Sequence, residues 1–224
     1  MAHSLRSGPF PKQSEDAVYR ECWHRLYRIR IILNSQFSIL NSLPSMIYIA
    51  LLRGINVGGH KVIKMADLKA MFESLGFANV RTFIQSGNVL FETKDNGKQL
   101  RPRIQKELKA TFGFDVTVVI RTAAEMKKII ESSPFSADSL AEGETLHVAL
   151  LAGTPTPDAV ESLLDTRSDV DDFHLVGNEV YILLRQSSRQ SLFSNSFLER
   201  KLGVAATTRN WQTMTKLAKQ AGEG

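Results

Sequence analysis

The residues best placed to do chemistry form three polar interruptions in an otherwise apolar body. Arg53-Gly54-Ile55-Asn56-Val57-Gly58-Gly59-His60-Lys61 follows an apolar run and precedes a helical pattern. Its glycines can take positive φ and let a ligand approach the backbone, and successive N–H groups in such a turn can form an anion nest. Arg53 can fork onto a carboxylate or phosphate, and Lys61 or Lys64 can add point charge. Gly54 and Gly59 have the glycine spacing of a phosphate loop, but His60-Lys61 follows where that motif needs Lys and then Ser or Thr, which excludes ATPase chemistry of that type. The plain alternative is a β-to-α connection in which Asn56 bonds nearby backbone. Ser86-Gly87-Asn88 reads as a hairpin turn, or as a hydroxyl and an amide presented to something bound. In Thr207-Thr208-Arg209-Asn210-Trp211, Thr208 or Asn210 can cap the last helix, whose N-terminus favours an anion. Arg209 beside that end is unfavourable by about 0.3–1 kcal/mol unless compensated. Its partner is then either a buried Asp or Glu or an anionic ligand shared with the helix end.

The elements that must position these residues read as α+β. Ile47–Leu52 is a strand, and Leu68, Met71, Phe72 and Leu75 share one face of a helix that stops at Gly76. Val80–Gln85 and Val89–Glu92 form a hairpin, Leu100–Phe112 a helix with Pro102 in its first turn, and Val116–Ile120 a fourth strand. That β-α-β-β-α-β order is the ferredoxin-like one. A helix over Ala123–Glu131 leads to Ser133-Pro134. The second half reads β-α-β-β-α: Leu146–Leu151, Pro157–Leu164, Phe173–Val176, Val180–Leu184 and 195–202, with an extended piece at Val204–Thr207 and a last helix over 210–220. The expected organisation is therefore two ferredoxin-like subdomains with antiparallel sheets, 46–133 and 134–220. No sequence identity between the halves is read at this level, so duplication is a topological suggestion.

Composition bounds the rest. The 224 residues are 43% hydrophobic and 23% charged, an ordinary globular balance. The formal charge is +5, of which +3 sits in residues 1–45 and +2 in residues 46–224, so the pI near 9.4 overstates any general attraction to polyanions. Residues 1–45 are Arg-rich and, from Cys22 onward, free of acids. They are expected to be a disordered extension or a mis-set start before Met46, a transit-type segment, or an amphipathic arm. The single cysteine, Cys22, leaves the body without thiol chemistry, and the scattered histidines show no metal spacing. No Ser-His-Asp set or carboxylate pair is legible, no cofactor is called for, and no run approaches the ~20 residues of a membrane span.

Three motifs together carry a resemblance: Leu51–Gly59 with Met65-Ala66-Asp67-Leu68, Gln85-Ser86-Gly87-Asn88-Val89 with Phe91, and Thr207–Trp211 with Thr213 and Lys216-Leu217. In that order they resemble the bacterial domain-of-unknown-function 1697 family over about residues 46–220. The resemblance implies a cytoplasmic α+β protein of two ferredoxin-like subdomains and no established activity. One departure is Gln186–Leu192, where similar proteins tend to carry glycines and a lysine just before a leucine.

Two functions follow as expectations. In the first, a small anion binds between the halves, with Arg53, Asn56, Gly58, Gly59, Lys61, Ser86, Asn88, Arg209 and Asn210 as ligand-binding residues and Arg53 and Arg209 as clamps. In the second, a non-enzymatic module meets nucleic acid or protein through a basic C-terminal face, since residues 185–220 carry a net +6. An RNA-reading sheet would need exposed aromatics; Phe83 and Phe91 lie on the hairpin, but the accompanying basic-aromatic consensus is missing.

Overall fold

The computed structural model describes residues 45–166, 171–185 and 191–223. The expectations for residues 1–44 and for Gln186–Gln190 lie outside these. The first half runs β1 (Met46–Leu52), α1 (Met65–Ser74), β2 (Ala78–Phe83), β3 (Asn88–Thr93), α2 (Gly97–Phe112), β4 (Val118–Thr122) and α3 (Ala123–Glu131). After a 3₁₀ turn at Ala137–Ser139, the second half runs β5 (Thr145–Leu151), α4 (Pro157–Leu164), β6 (Asp171–Val176), β7 (Glu179–Leu184), α5 (Asn195–Leu202), β8 (Ala206–Asn210) and α6 (Trp211–Gly222). The protein is α+β, with two four-stranded antiparallel sheets ordered β2-β3-β1-β4 and β6-β7-β5-β8. Both halves lie within one compact unit, Ser45–Gly224.

β2 lies two residues earlier than expected and β4 two residues later, and three further differences have a local cause. The extended piece expected at Val204–Thr207 is a full strand, β8, displaced to Ala206–Asn210. It escapes an apolar pattern because its inward residues are Thr207 and Arg209, buried polar groups that bond to each other, with Arg209 reaching on to the Leu52 carbonyl of the first half. The second half is therefore β-α-β-β-α-β like the first. Asn88 belongs to β3, paired with Leu51 and Phe83, because Ile84 takes a positive φ of 50° and turns the chain earlier than Ser86. Helix α2 starts a turn early, capped by Asn96 onto Lys98 N–H, which puts Pro102 in its second turn. There the missing N–H leaves the Lys98 carbonyl without its helical partner, at a residue exposed to solvent.

Alternation along the central strands divides the core. Tyr48, Ala50 and Leu52 of β1 face α1 and α2, and Ala149 and Leu151 of β5 pack with α5 and Leu163 of α4. The opposite residues, Ile49 and Leu51 with Val148 and Leu150, meet in a central core with Met126 and Ile129 of α3 and Met214 and Leu217 of α6. Burial on both faces explains why β1 and β5 read as unbroken apolar runs. It also removes the RNA-sheet geometry: Phe91 stacks on Phe77 and Tyr48 inside the first core, and Phe83 packs in the central one.

The registers show a repeat that the sequence reading missed. Leu51 pairs with Asn88 and Val119, as Leu150 pairs with Glu179 and Thr207; Ile49 pairs with Arg121, as Val148 pairs with Arg209. In this alignment Ala50-Leu51-Leu52-Arg53-Gly54 matches Ala149-Leu150-Leu151-Ala152-Gly153. Likewise Arg121, Met126 and Lys128 match Arg209, Met214 and Lys216. The identities are short and unevenly spaced between the halves, so only the strand pairing brings them into line.

His147 supplies a stability test here. It is partly buried on β5, and burial holds its imidazole below the ordinary histidine value. The neutral ring is favoured in the folded state while the unfolded chain protonates normally. The contribution is therefore complete above about pH 6.5 and is lost as pH falls through and below that value. Thermal melts from pH 7.5 to 5 should show a smaller loss of stability for His147→Gln than for the parent.

Candidate functional site

Arg209 sits on β8, 8% exposed, and all five of its N–H groups are taken. Nε donates to Asn88 Oδ1 at 2.7 Å; Nη1 donates to Thr207 Oγ1 at 2.8 Å and to the Thr208 carbonyl at 2.9 Å. Nη2 donates to the carbonyls of Leu52 at 2.7 Å and Ser86 at 3.1 Å. The partners are five neutral oxygens from three strands, β1, β3 and β8, and the β2–β3 turn. Neither of the expected anionic partners, a buried carboxylate or a ligand, is needed to satisfy it. Burial lowers its pKa to about 10, which still leaves it charged at neutral pH.

The three polar motifs do converge, and they converge on one another. Asn88, fully buried, donates to Phe83 O and Ser86 Oγ while accepting from Arg209. Asn56 takes a left-handed φ of 55°. Its amide accepts from Ile63 N–H and donates to the carbonyls of Ile63 and Gln85, tying the first loop to the β2–β3 turn. Arg53 pairs with Glu199 of α5 at 2.8 Å. Asn210 caps α6 by accepting from Thr213 N–H. Gly58 and Gly59 form the exposed tip of a small hairpin closed by Val57 and His60, and Lys61 donates from the loop's exposed side to the Asp115 carbonyl.

Arg121 on β4 is the counterpart of Arg209 and repeats its bonds in mirror fashion between the halves. Nε donates to Glu179 Oε1 at 2.9 Å, where Arg209 uses Asn88. Nη1 donates to the carbonyl of the preceding residue, Ile120, and Nη2 to that of Leu151, the partner of Leu52 in the repeat. Two differences open this second tie. Val119 stands where Thr207 stands, so one acceptor is missing, and a two-residue turn, Gly177-Asn178, replaces Ile84–Gly87. A cavity of about 320 Å³ results, lined by Arg121, Glu125, Lys128, Asn178, Glu179 and Tyr181 among others. Glu179 uses only Oε1 on Arg121, and Glu125 uses Oε2 in the capping box with Thr122. Lys128 is exposed, and its ammonium has no hydrogen bond or ion pair among the described residues. Tyr181 donates to Ile129 O at 2.7 Å; burial and the Glu179 charge push its phenol up to about 12, so it stays protonated.

Sequence reasoning passed over Arg121, Lys128 and Glu179; the Arg-x₄-Met-x-Lys repeat shared with Arg209, Met214 and Lys216 was the available signal. The basic C-terminal face is partly neutralised: Arg185 pairs with Glu144 and Asp172, Lys219 with Glu223, and Arg209 is internal. Among the described residues no cluster of three metal-ligating side chains occurs, and no helix is long and apolar enough to cross a membrane.

The family model for proteins of unknown function, DUF1697, matches residues 46–181, covering β1 through the start of β7. The chain belongs to the DUF1697 family. Its fold is shared with the conserved bacterial protein SP0830 from Streptococcus pneumoniae, at 19% identity and a TM-score of 0.64, over 80% of this chain and 99% of that one. No curated protein is a significant match. The family match contains all of the Arg121 cavity's first-half residues and reaches Glu179 and Tyr181, whereas Arg209 lies beyond it.

Proposed function

We propose that this DUF1697 protein binds a small anionic ligand in the cleft between its halves, and that the cavity beside Arg121 is the binding end of that cleft. One observation carries the reading: of two arginine ties built alike, the Arg209 tie is closed by its own donors and acceptors, while the Arg121 tie borders a cavity with Lys128, unpaired among the described residues. Its volume of about 320 Å³ is at the lower end for small-molecule sites. Asn56, Ser86, Asn88 and Arg209 form the closed end and set the spacing of the halves. We also read each half as a ferredoxin-like unit, which the strand orders and the β-α-β-β-α-β succession support.

Thermal-shift and calorimetric titration with inorganic phosphate, acetate and citrate test this. Lys128→Met should weaken binding by about three- to fivefold, the scale of one solvent-exposed ion pair. Lys216→Met, the same change on the closed tie, should leave it unaltered. Equal losses in both variants, or no anion binding by the parent, would refute the assignment.

A further inference from the structure

We infer that the cavity beside Arg121 selects a small zwitterion, an ammonium group a few bonds from a carboxylate or phosphate, over a simple anion. This rests on the anion-binding reading above and adds the second half of the ligand. The wall carries two cations and two carboxylates, and their hydrogen bonds are unevenly distributed. Arg121 places both Nε and Nη2 on the same oxygen of Glu179, Oε1, at 2.9 and 2.8 Å. Oε2 of Glu179 accepts nothing among the described residues and lies beside Gly177, 3.6 Å from where a Cβ on that residue would stand. Glu125 likewise spends Oε2 on Thr122, both N–H and hydroxyl, and leaves Oε1 without a donor.

The cavity therefore presents a free ammonium, Lys128, together with two free carboxylate oxygens, Glu125 Oε1 and Glu179 Oε2. A bare anion satisfies Lys128 but faces both carboxylates, a like-charge cost. A bare cation satisfies the carboxylates and faces Lys128. A molecule bearing both charges meets each with its complement, which is how mixed-charge sites discriminate. The corresponding positions at the closed tie are Asn88 and Thr213, both neutral, so the paired charges belong to the open site alone.

The test compares matched probes on the full chain: glycine against acetate and methylamine, and phosphoethanolamine against inorganic phosphate. The zwitterions should bind about three- to fivefold tighter than the matching anion, the scale of one solvent-exposed ion pair. Glu125→Gln, which can keep the capping-box hydrogen bonds while removing the charge, should erase that advantage and tighten binding of the simple anion. If acetate and phosphate bind as tightly as the zwitterions, the selectivity is refuted while anion binding stands. If the advantage survives Glu125→Gln and Glu179→Gln alike, the carboxylates are not its source and the inference fails. If no probe binds, both the inference and the reading beneath it fall.

Discussion

Arg209→Ala should lower stability by about 3–5 kcal/mol, the range for removing one partner from a buried charged network. For a chain of this size that is a fall in melting temperature of about 6–20 °C. The guanidinium bonds Asn88, Thr207, Thr208, Leu52 and Ser86, so its loss leaves buried oxygens from both halves without donors. Arg209→Lys should recover little, because an ammonium offers three donors from one point and cannot span five acceptors. Arg53→Ala is the comparison: its ion pair with Glu199 is partly exposed and should be worth about 1 kcal/mol or less. Chemical denaturation of the three variants measures these differences. A loss for Arg209→Ala no larger than that for Arg53→Ala would mean that the buried network is not what joins the halves.

The second large effect is expected at Gly87. Its φ is +77°, and a Cβ there would stand 2.6 Å from Ile55 Cδ1 and 2.9 Å from Leu52 Cβ. The Ile55 tip can rotate, but Leu52 Cβ is fixed to β1 and cannot yield. Gly87→Ala should therefore cost about 2–4 kcal/mol, adding overpacking to the left-handed penalty. Gly76 separates the two terms. Its φ is +80° with no atom within 4 Å of the added carbon, so Gly76→Ala should cost only about 1 kcal/mol. Equal losses at the two glycines would show that backbone conformation, not the approach of the β2–β3 turn to β1, sets the requirement.

The residues of the Arg209 network were legible in the sequence, their partners were not, and none of the Arg121 cavity's lining was singled out. The three polar motifs stood out because they break apolar patterns, and they do meet. Arg53 and Arg209 read as anion clamps in the sequence because a sequence shows a charge without its partners. Glu199 and the five oxygens around Arg209 come from segments up to 157 residues away. The Arg121 cavity was missed for a related reason. The expected fourth strand stops at Ile120, one residue short of Arg121, and Glu179 sits at the start of a hairpin strand, where an acid is unremarkable.

The sequence by itself determined the α+β class and the succession of elements from β1 to α6 apart from β8, since local periodicity and punctuating glycines act over a few residues, and three motifs in order carried the family resemblance. Only the tertiary structure decided that β8 is a strand, because its inward residues are polar: Thr207 is buried as an acceptor for Arg209, and Arg209 finds three further acceptors on the first half. Tertiary packing also decided which of two similar arginines is sealed. That outcome turns on a hydroxyl at Thr207 against a methyl at Val119 and on the length of one hairpin turn. Such differences carry almost no signal along the chain and acquire meaning only when the two halves are packed together.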